Sequence, residues 1–480
     1  MLSRSFLFAF VIAVSLVGCE GPKDAPPNVV LIIIDDLGWM DTATYGSSFY
    51  ETPNIDRLAS EGARFTNFYA ASPVCSPTRA SIMTGKHPAR LDLTNWIGGE
   101  QNGILNQAEY IRELPVEETT VGDAFSDLGY STGYIGKWHL GRQGFLAGDN
   151  GFDFSFAVNE AGQPGSYFPP YENPNWPITN VPDLEGDPEG TYLTDRLSEA
   201  AVSFIKEPRD TPFLLVMSHY SVHTPLQAPD TLVEQYAEKA ALLGPDSEAN
   251  YRAEEWGETK LRQDHPTYAA MVESIDRSVG RVLSALEDSG MDEETIVVFT
   301  SDNGGLSTLR RRGFNQATSN LPLRAGKGWL YEGGIRIPLI MRHPGSISAG
   351  QTVDAPGMTT DLFPTLLELT GHSATPALHQ DGVSLSDALG EASVVSPRPL
   401  FWHFPHYHGS GNRPGGAVRI GNMKLIEWME DGAVEMYDLE ADIGESVSLV
   451  EDRPDEAARL RDVLDVWRRE VGANMPTRAN

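Results

Sequence analysis

Short apolar runs alternate with amphipathic, helix-like segments along most of the 480-residue chain, without a visible repeat period. This alternation is typical of a mostly parallel β-sheet flanked by helices. Beyond Gly382 the runs are short and closely spaced, as in antiparallel strands, at Leu400–Phe404, Val418–Ile420, Lys424–Trp428 and Val434–Tyr437. Glu456–Val471 then has the pattern of a closing amphipathic helix. The chain is therefore predicted to be an α/β protein, with a large mixed, mostly parallel sheet in residues 28–382 and a smaller C-terminal α+β domain with a short antiparallel sheet in residues 383–480.

Polar side chains follow four of the predicted strands. Asp35 and Asp36 follow Val29–Ile34, and Lys137 and His139 follow Tyr130–Ile135. His219 and His223 follow Phe213–Met217, and Asp302 and Asn303 follow Ile296–Thr300. In open α/β sheets, ligands bind beyond the carboxyl ends of the strands. We expect these side chains to converge on one site.

The first residues have the pattern of an export signal. Arg4 precedes an apolar stretch from Leu7 to Val17, and Leu16-Val17-Gly18-Cys19 is similar to a bacterial lipobox. We expect residues 1–18 to be a lipoprotein signal peptide, Cys19 to carry lipid and residues 19–27 to form a tether. A plain signal peptide or a first helix is the alternative. No later run approaches the ~20 apolar residues of a membrane span, so we expect an exported protein, periplasmic or at the cell surface, anchored to the membrane only through its N-terminal lipid.

The charge balance narrows the possible partners. With 36 Lys and Arg against 67 Asp and Glu, the formal net charge is -31, which argues against binding to nucleic acid or to an anionic membrane surface. An anionic ligand would need a local positive pocket. The chain also lacks a phosphate-binding loop at Gly136-Lys137 and a Gly-x-Ser-x-Gly nucleophile motif.

Cys75 is the one cysteine left if Cys19 is lipidated. Pro77 suits the first turn of a helix and Gly85 can end it, so Cys75 is predicted to lie at a helix N-terminus, one turn before Arg79. The helix dipole and this cation predict an unusually acidic thiol. For a solitary cysteine, a small core residue is the ordinary alternative.

The motif Cys75-x-Pro77-x-Arg79, extended through Ala80-Ser81-Ile82-Met83-Thr84-Gly85, resembles the signature of the type I, formylglycine-dependent sulfatases. Gly136-Lys137-Trp138-His139-Leu140-Gly141 and the two acidic pairs follow the order of this arylsulfatase-like family of the alkaline phosphatase superfamily. The resemblance implies an alkaline-phosphatase-like sheet and oxidation of Cys75 to formylglycine by a maturation enzyme. It also implies hydrolysis of sulfate esters, with a sulfated carbohydrate as the expected substrate.

The acidic pairs supply hard oxygen donors, which suit Ca²⁺ or Mg²⁺, although adjacent acids are also common in solvated turns. By the resemblance, Asp35, Asp36, Asp302 and Asn303 are all metal ligands, and Ca²⁺ is preferred to Mg²⁺.

The resemblance also implies the catalytic roles. Arg79 would hold the hydrated aldehyde, Lys137 would contact residue 75 and the sulfate, and Lys327 would bind the sulfate. His223 would protonate the leaving alcohol and His139 would take a proton from residue 75 as sulfate departs.

Three further residues are predicted to contact substrate: His403, His406 and Arg324. The first two lie in Trp402–His408, whose three imidazoles also raise a zinc site as an alternative. Arg310-Arg311-Arg312 is either a solvated face or a contact for an acidic sugar polymer.

Two other functions stay open. The scaffold also resembles phosphate- and phosphonate-ester hydrolases of the same superfamily. A non-catalytic, glycan-binding lipoprotein is the alternative of a different class.

Overall fold

A computed structural model describes residues 26–313, 316–390 and 397–479. The predicted signal peptide and Cys19 lie outside the described residues. The strands are β1 (Asn28–Ile34), β2 (Ala63–Phe65), β3 (Phe68–Tyr69), β4 (Leu105–Asn106), β5 (Ser131–Gly136), β6 (Phe154–Phe156), β7 (Phe213–Ser218), β8 (Tyr251–Glu254), β9 (Gly257–Lys260), β10 (Thr295–Ser301), β11 (Thr308–Leu309), β12 (Leu339–Arg342), β13 (Gln351–Val353), β14 (Gly357–Met358), β15 (Leu400–Phe404), β16 (Gly415–Ile420), β17 (Met423–Trp428), β18 (Val434–Asp438) and β19 (Thr477–Arg478).

The α-helices of the same residues are α1 (Pro53–Ser60), α2 (Cys75–Thr84), α3 (Val121–Asp127), α4 (Leu193–Lys206), α5 (Asp230–Ala241), α6 (Pro266–Asp288), α7 (Glu332–Ile335), α8 (Leu362–Leu369), α9 (Ser386–Leu389) and α10 (Pro454–Val471). None of the described helices is long and apolar enough to cross a membrane.

The main sheet has the strand order β13-β2-β12-β10-β1-β7-β5-β6. The five strands from β10 to β6 run parallel, while β12 is antiparallel to both of its neighbours. In register, Ile34 pairs with Ser301, and Ser218 pairs with both Ile33 and Gly136. The four strands named in the sequence prediction therefore end at one edge, and the predicted mixed, mostly parallel sheet is confirmed.

Both faces of the sheet are covered, which explains why β1 is almost continuously apolar. Val30, Ile32 and Ile34 point into a core shared with α4 and α6, whereas Leu31 and Ile33 point into a second core shared with α2 and α8. This packing fixes the strand ends from which the polar side chains project.

The C-terminal part contains the predicted antiparallel sheet, in the order β15-β16-β17-β18. One face packs with Trp329 and Tyr331, and the other packs against α10 through Leu460 and Leu464. Lys424 of β17 is buried between Glu332 and Glu445, at 2.9 and 2.8 Å. The short sheet and the closing helix are confirmed, while the domain boundary at residue 382 stays a prediction.

Candidate active site

Cys75 is the first residue of α2, as the sequence predicted. Val74 before it is extended, and Gly85 ends the helix with a left-handed φ of 64°. Cys75 is 3% exposed, and burial raises the pKa of its thiol although Lys137 and Lys327 act in the opposite direction. The expected acidic thiol is therefore wrong, because loss of hydration outweighs the nearby cations.

The two acidic pairs meet beside Cys75 at the edge of the main sheet. Asp35, Asp36, Asp302 and Asn303 are each at most 3% exposed. Asn303 Nδ2 donates to Asp36 Oδ1 at 2.8 Å, and the Asp36 amide donates to Asp302 Oδ1 at 3.2 Å. The sequence prediction that these four side chains converge is confirmed.

The oxygen atoms of this cluster fit a hard divalent cation. Asp35 Oδ1 and Asn303 Oδ1 are buried and have no hydrogen-bond partner among the described residues. Unsatisfied buried oxygens are costly, and a bound ion or water would satisfy them. The ligand set of carboxylates and an amide is that of Ca²⁺ or Mg²⁺. In the described residues, the one His, Cys, Asp and Glu group close enough to share a metal is Asp35, Asp36 and His223, so the alternative of a zinc site in Trp402–His408 has no support.

Each carboxylate of the cluster also has a buried cation. Three ion pairs result: Lys137 Nζ with Asp35 Oδ2 at 2.6 Å, Lys327 Nζ with Asp36 Oδ1 at 2.7 Å, and Arg79 Nε with Asp302 Oδ2 at 2.8 Å. Burial raises the pKa of Asp35 despite Lys137. Burial would also raise the pKa of Asp36, but Lys327 and His223 hold it below its usual range. The site thus balances its charges before any ligand enters.

The Arg79 guanidinium is held rigidly from two sides. Its Nη1 donates to the Lys137 carbonyl at 2.8 Å and to Ser218 Oγ at 2.6 Å, while Nη2 is buried without a partner among the described residues. Tyr134 supports the same segment, because its hydroxyl donates to the Lys137 carbonyl at 2.7 Å. The free Nη2 donor is available to an oxygen on residue 75.

His139 faces residue 75 directly, with 3.4 Å between Nδ1 and Cys75 Sγ. Its Nε2 lies 3.2 Å from the Ile97 carbonyl. A carbonyl accepts only, so Nε2 carries the proton and Nδ1 presents a lone pair to residue 75. Burial, reinforced by Lys137, holds the pKa of His139 well below its usual range. A neutral imidazole in this tautomer can accept a proton from residue 75.

His223 lies beside the acidic cluster, with Nε2 3.7 Å from Asp36 Oδ2 and Nδ1 3.0 Å from the Thr224 carbonyl. Burial lowers the pKa of His223 to about 3, and the positive charge of Lys327 acts in the same direction. The imidazole can donate a proton only when it is charged. An anionic ester beside it would favour that charged form.

The three further predicted substrate contacts are taken up by the protein itself. His403 Nε2 lies 2.9 Å from the Asn474 carbonyl, and His406 Nε2 lies 2.8 Å from Thr94 Oγ1. Arg324 contacts Glu254 at 3.1 Å and the Glu445 carbonyl at 2.9 Å. All three side chains therefore join parts of the fold, and their contact with substrate stays a prediction.

His408 is a site residue that the sequence analysis missed. Lys327 and Asp36 both act on its pKa, which burial lowers to about 3. A Cβ on Gly328, the residue after Lys327, would lie 2.1 Å from His408 Nδ1. His403 lies inside β15, whereas His408 follows the end of that strand, as Asp35 and Asp302 follow the ends of β1 and β10.

A doubly covered, mostly parallel sheet with hard oxygens, three cations and a helix-borne residue 75 at its edge defines the class of alkaline-phosphatase-like ester hydrolases. The family model named Sulfatase matches residues 27–372, and the model N-sulphoglucosamine sulphohydrolase, C-terminal, matches residues 325–466. The chain belongs to the sulfatase family and is a sulfuric ester hydrolase.

Individual relatives agree with this family. A sulfatase of Formosa agariphila is 32% identical, over 99% of this chain and 94% of its own. N-acetylgalactosamine-6-sulfatase of Rattus norvegicus is 33% identical, over 89% of this chain and 76% of its own. Among solved structures, that of Ps i-CgsB in complex with k-i-k-neocarrahexaose is 27% identical with a TM-score of 0.74, and the match covers 92% of this chain and 93% of that one.

Proposed function

We propose that the protein releases inorganic sulfate from a sulfated carbohydrate, with residue 75 as the nucleophile after conversion of Cys75 to formylglycine. The observation that carries the proposal is the meeting of Cys75 with three buried cations and two unsatisfied oxygens in a protein of net charge -31. The three cations balance the three carboxylates of the site, so a bound divalent ion would leave it positive and suited to one small anion held against a nucleophile. A spent, merely glycan-binding site would not need the His139 tautomer that faces residue 75.

Four side chains would hold the metal: Asp35, Asp36, Asp302 and Asn303. When bound, a divalent ion supplies charge neutralisation to sulfate oxygens and lowers the pKa of a hydroxyl coordinated to it. We infer Ca²⁺ rather than Mg²⁺, because the donors are all protein oxygens and Mg²⁺ usually keeps several waters.

The other residues would bind and move protons. Lys137 and Lys327, which pair with Asp35 and Asp36, would contact the sulfate oxygens, and Arg79 Nη2 would orient residue 75. The hydrated aldehyde of formylglycine supplies a hydroxyl that a thiol lacks. His223 would donate a proton to the leaving alcohol, and His139 Nδ1 would take one from residue 75.

The carbohydrate part of the proposal rests on the relatives. The rat relative is named N-acetylgalactosamine-6-sulfatase, and the structure of Ps i-CgsB is a complex with k-i-k-neocarrahexaose. Both names contain a carbohydrate, and the first also a sulfatase activity, which supports a sulfated carbohydrate as the substrate here.

Aryl sulfate and aryl phosphate hydrolysis by the purified, matured protein tests the reaction. We expect faster turnover of the sulfate and no detectable turnover by Cys75→Ala. Mass spectrometry of the peptide around residue 75 should show that sulfur has been replaced by oxygen in active protein. Faster phosphate hydrolysis would favour the phosphatase alternative, and full activity with an unmodified thiol would refute the mechanism.

The N-terminus supports a second proposal, on localisation. Residues 1–18 would direct export and Cys19 would carry the lipid, with residues 19–27 as the tether before the catalytic domain at 28–382 and the C-terminal domain at 383–480. Membrane fractionation of a host that lipidates exported proteins tests this. Cys19→Ala should move the protein from the membrane to the aqueous fraction, whereas an unchanged distribution would exclude a lipid anchor at this residue.

A further inference from the structure

A second basic cleft lies on the surface formed by β8, β9 and β11. These strands make an antiparallel sheet in which Thr308 pairs with Thr259 and Leu309 with Glu258. Continued by two residues, this register brings Arg310 beside Gly257 and Arg311 beside Trp256 at the tip of the hairpin. The same cleft of about 590 Å³ is lined by Trp256, Gly257, Arg310 and Arg311, which is within the usual size of ligand pockets, roughly 300–1,000 Å³.

Each carboxylate that lines the cleft has an arginine partner, although Arg413 is shared with Glu430 and Asp431. Glu258 accepts from Arg312 at 3.0 Å, and Glu255 accepts from Arg413 at 3.2 Å. Arg312 is also bound to Glu248 at 2.8 Å and lies over the Tyr251 ring.

Arg310 and Arg311 are different from Arg312. Both side chains are exposed, and neither has an ion pair or hydrogen bond within the part of the chain that the structure describes. The cleft therefore offers two guanidinium groups without a carboxylate partner among the described residues, on a protein whose net charge is -31. Such a local excess attracts anions, and the planar guanidinium suits sulfate or carboxylate oxygens.

Trp256 adds an apolar surface to these charges. It is 51% exposed at the turn between β8 and β9, although a large aromatic side chain would normally be covered. The carbon-bound hydrogens of a pyranose ring form an apolar face that packs on an indole. An aromatic ring next to free guanidinium groups thus matches an acidic sugar, which has one apolar face and anionic substituents.

The hairpin is firmly attached and adjoins the catalytic pocket. A Cβ on Gly411 would lie 2.2 Å from the Trp256 carbonyl oxygen, so the hairpin tip contacts the loop that contains His408. Ser410 belongs to the same loop, and its carbonyl accepts a hydrogen bond from Trp329 Nε1 at 3.2 Å. Trp329 lies two residues after Lys327. One loop therefore separates the basic cleft from the proposed sulfate-binding lysine.

We propose that Trp256, Arg310 and Arg311 form a subsite for a second, anionic sugar unit of the same saccharide chain whose sulfate enters the catalytic pocket. The inference rests on the proposed carbohydrate sulfatase function. It predicts a preference for oligosaccharides over small aryl sulfates. Sulfate and carboxylate groups share the chemistry that the arginines recognise.

Binding to the unreactive Cys75→Ala protein tests the subsite without turnover. The probes are a carrageenan hexasaccharide, whose anionic groups are sulfates only, and a chondroitin sulfate hexasaccharide, which also has carboxylates. We expect Arg310→Ala/Arg311→Ala to weaken binding of at least one probe about tenfold, and Trp256→Ala to weaken it in addition. Arg459→Ala/Arg469→Ala, two exposed arginines of α10, is the control with the same change of net charge. Equal affinity for both double variants, or no binding of either probe to the Cys75→Ala protein, would overturn the subsite.

The matured, active protein then separates the subsite from the reaction itself. Arg310→Ala/Arg311→Ala should lower kcat/KM for the hexasaccharide about tenfold and leave aryl sulfate hydrolysis unchanged. A loss on both substrates would refute a subsite remote from the reacting group. Absence of aryl sulfate hydrolysis in the unsubstituted protein would count against the proposed function, whereas the binding comparison would still decide the subsite.

Discussion

Substitution of Lys137 can show whether a buried charge serves catalysis or only stability. Its ammonium is fully buried, 2.6 Å from Asp35 and 4.0 Å from Asp302. Lys137→Met removes the charge but keeps most of the apolar stem. Breaking a buried ion pair from one side costs about 3–5 kcal/mol of stability. Loss of one donor on the developing charge lowers kcat by about 10²–10³.

Lys424 is the matched control. It is equally buried and lies between Glu332 and Glu445 at 2.9 and 2.8 Å, but it contacts none of the proposed catalytic residues. We expect Lys424→Met to lose about 3–5 kcal/mol of stability while the folded fraction keeps kcat/KM within about threefold.

The assay combines three measurements on both variants and the unsubstituted protein. They are urea unfolding, aryl sulfate kinetics corrected for the folded fraction, and mass spectrometry to confirm equal conversion of residue 75. Lys137 lies outside the Cys75–Gly85 segment, so conversion should be unaffected. If Lys137→Met lost no more activity per folded molecule than Lys424→Met, the role of Lys137 at the sulfate would be refuted.

Three further outcomes are expected. Removal of divalent ions by a chelator should abolish aryl sulfate hydrolysis and lower Tm, and Ca²⁺ should restore both better than Mg²⁺ does. Asp276→Ala should cost about 1–3 kcal/mol in urea unfolding without changing kcat, because Asp276 accepts from the Asn54 and Ile55 amides at the start of α1, at 2.9 and 2.8 Å. E445Q should reduce the change in the free energy of unfolding with pH above pH ~4.3, the usual pKa of a glutamate.

The sign of the last effect follows from burial, which raises the pKa of Glu445 despite the attraction of Lys424. The folded protein then holds a proton that the unfolded chain has released, so the free energy of unfolding falls as pH rises from ~4.3. The neutral glutamine removes this contribution. A slope unchanged in E445Q would assign the pH dependence to another group. For α1, an Asp276→Ala variant as stable as the parent would contradict the capping role, and metal-independent activity would contradict the ligand cluster.

The sequence predicted well where one local pattern decides the structure. The continuous apolar runs predicted that β1 and β10 are buried strands. Because ligands bind beyond the carboxyl ends of parallel strands, the same pattern predicted that Asp35 and Asp302 lie close together although they are far apart in the chain. It could not predict contacts between residues that lie far apart in the chain. No pattern near His403 indicates that Asn474 is its hydrogen-bond partner.

The thiol of Cys75 shows the same limit. Helix dipole and Arg79 were visible in the sequence, but the loss of hydration that raises its pKa depends on everything packed over α2. Similarly, Arg324 makes an ion pair with Glu254 of β8 and a hydrogen bond to the Glu445 carbonyl in the loop after β18. Desolvation and long-range pairing are properties of the assembled fold, and periodicity does not report them.

The burial of α2 also determines an order of events. Every residue of this helix is buried, and Cys75 itself is 3% exposed. If residue 75 is converted as proposed, a maturation enzyme could not reach a side chain enclosed in this way, and the sulfur would have to be removed while the segment is still extended and accessible. Maturation and folding would then compete for the same chain. A molecule that folded first would keep its thiol and stay inactive, so the active fraction of a preparation would record which process was faster.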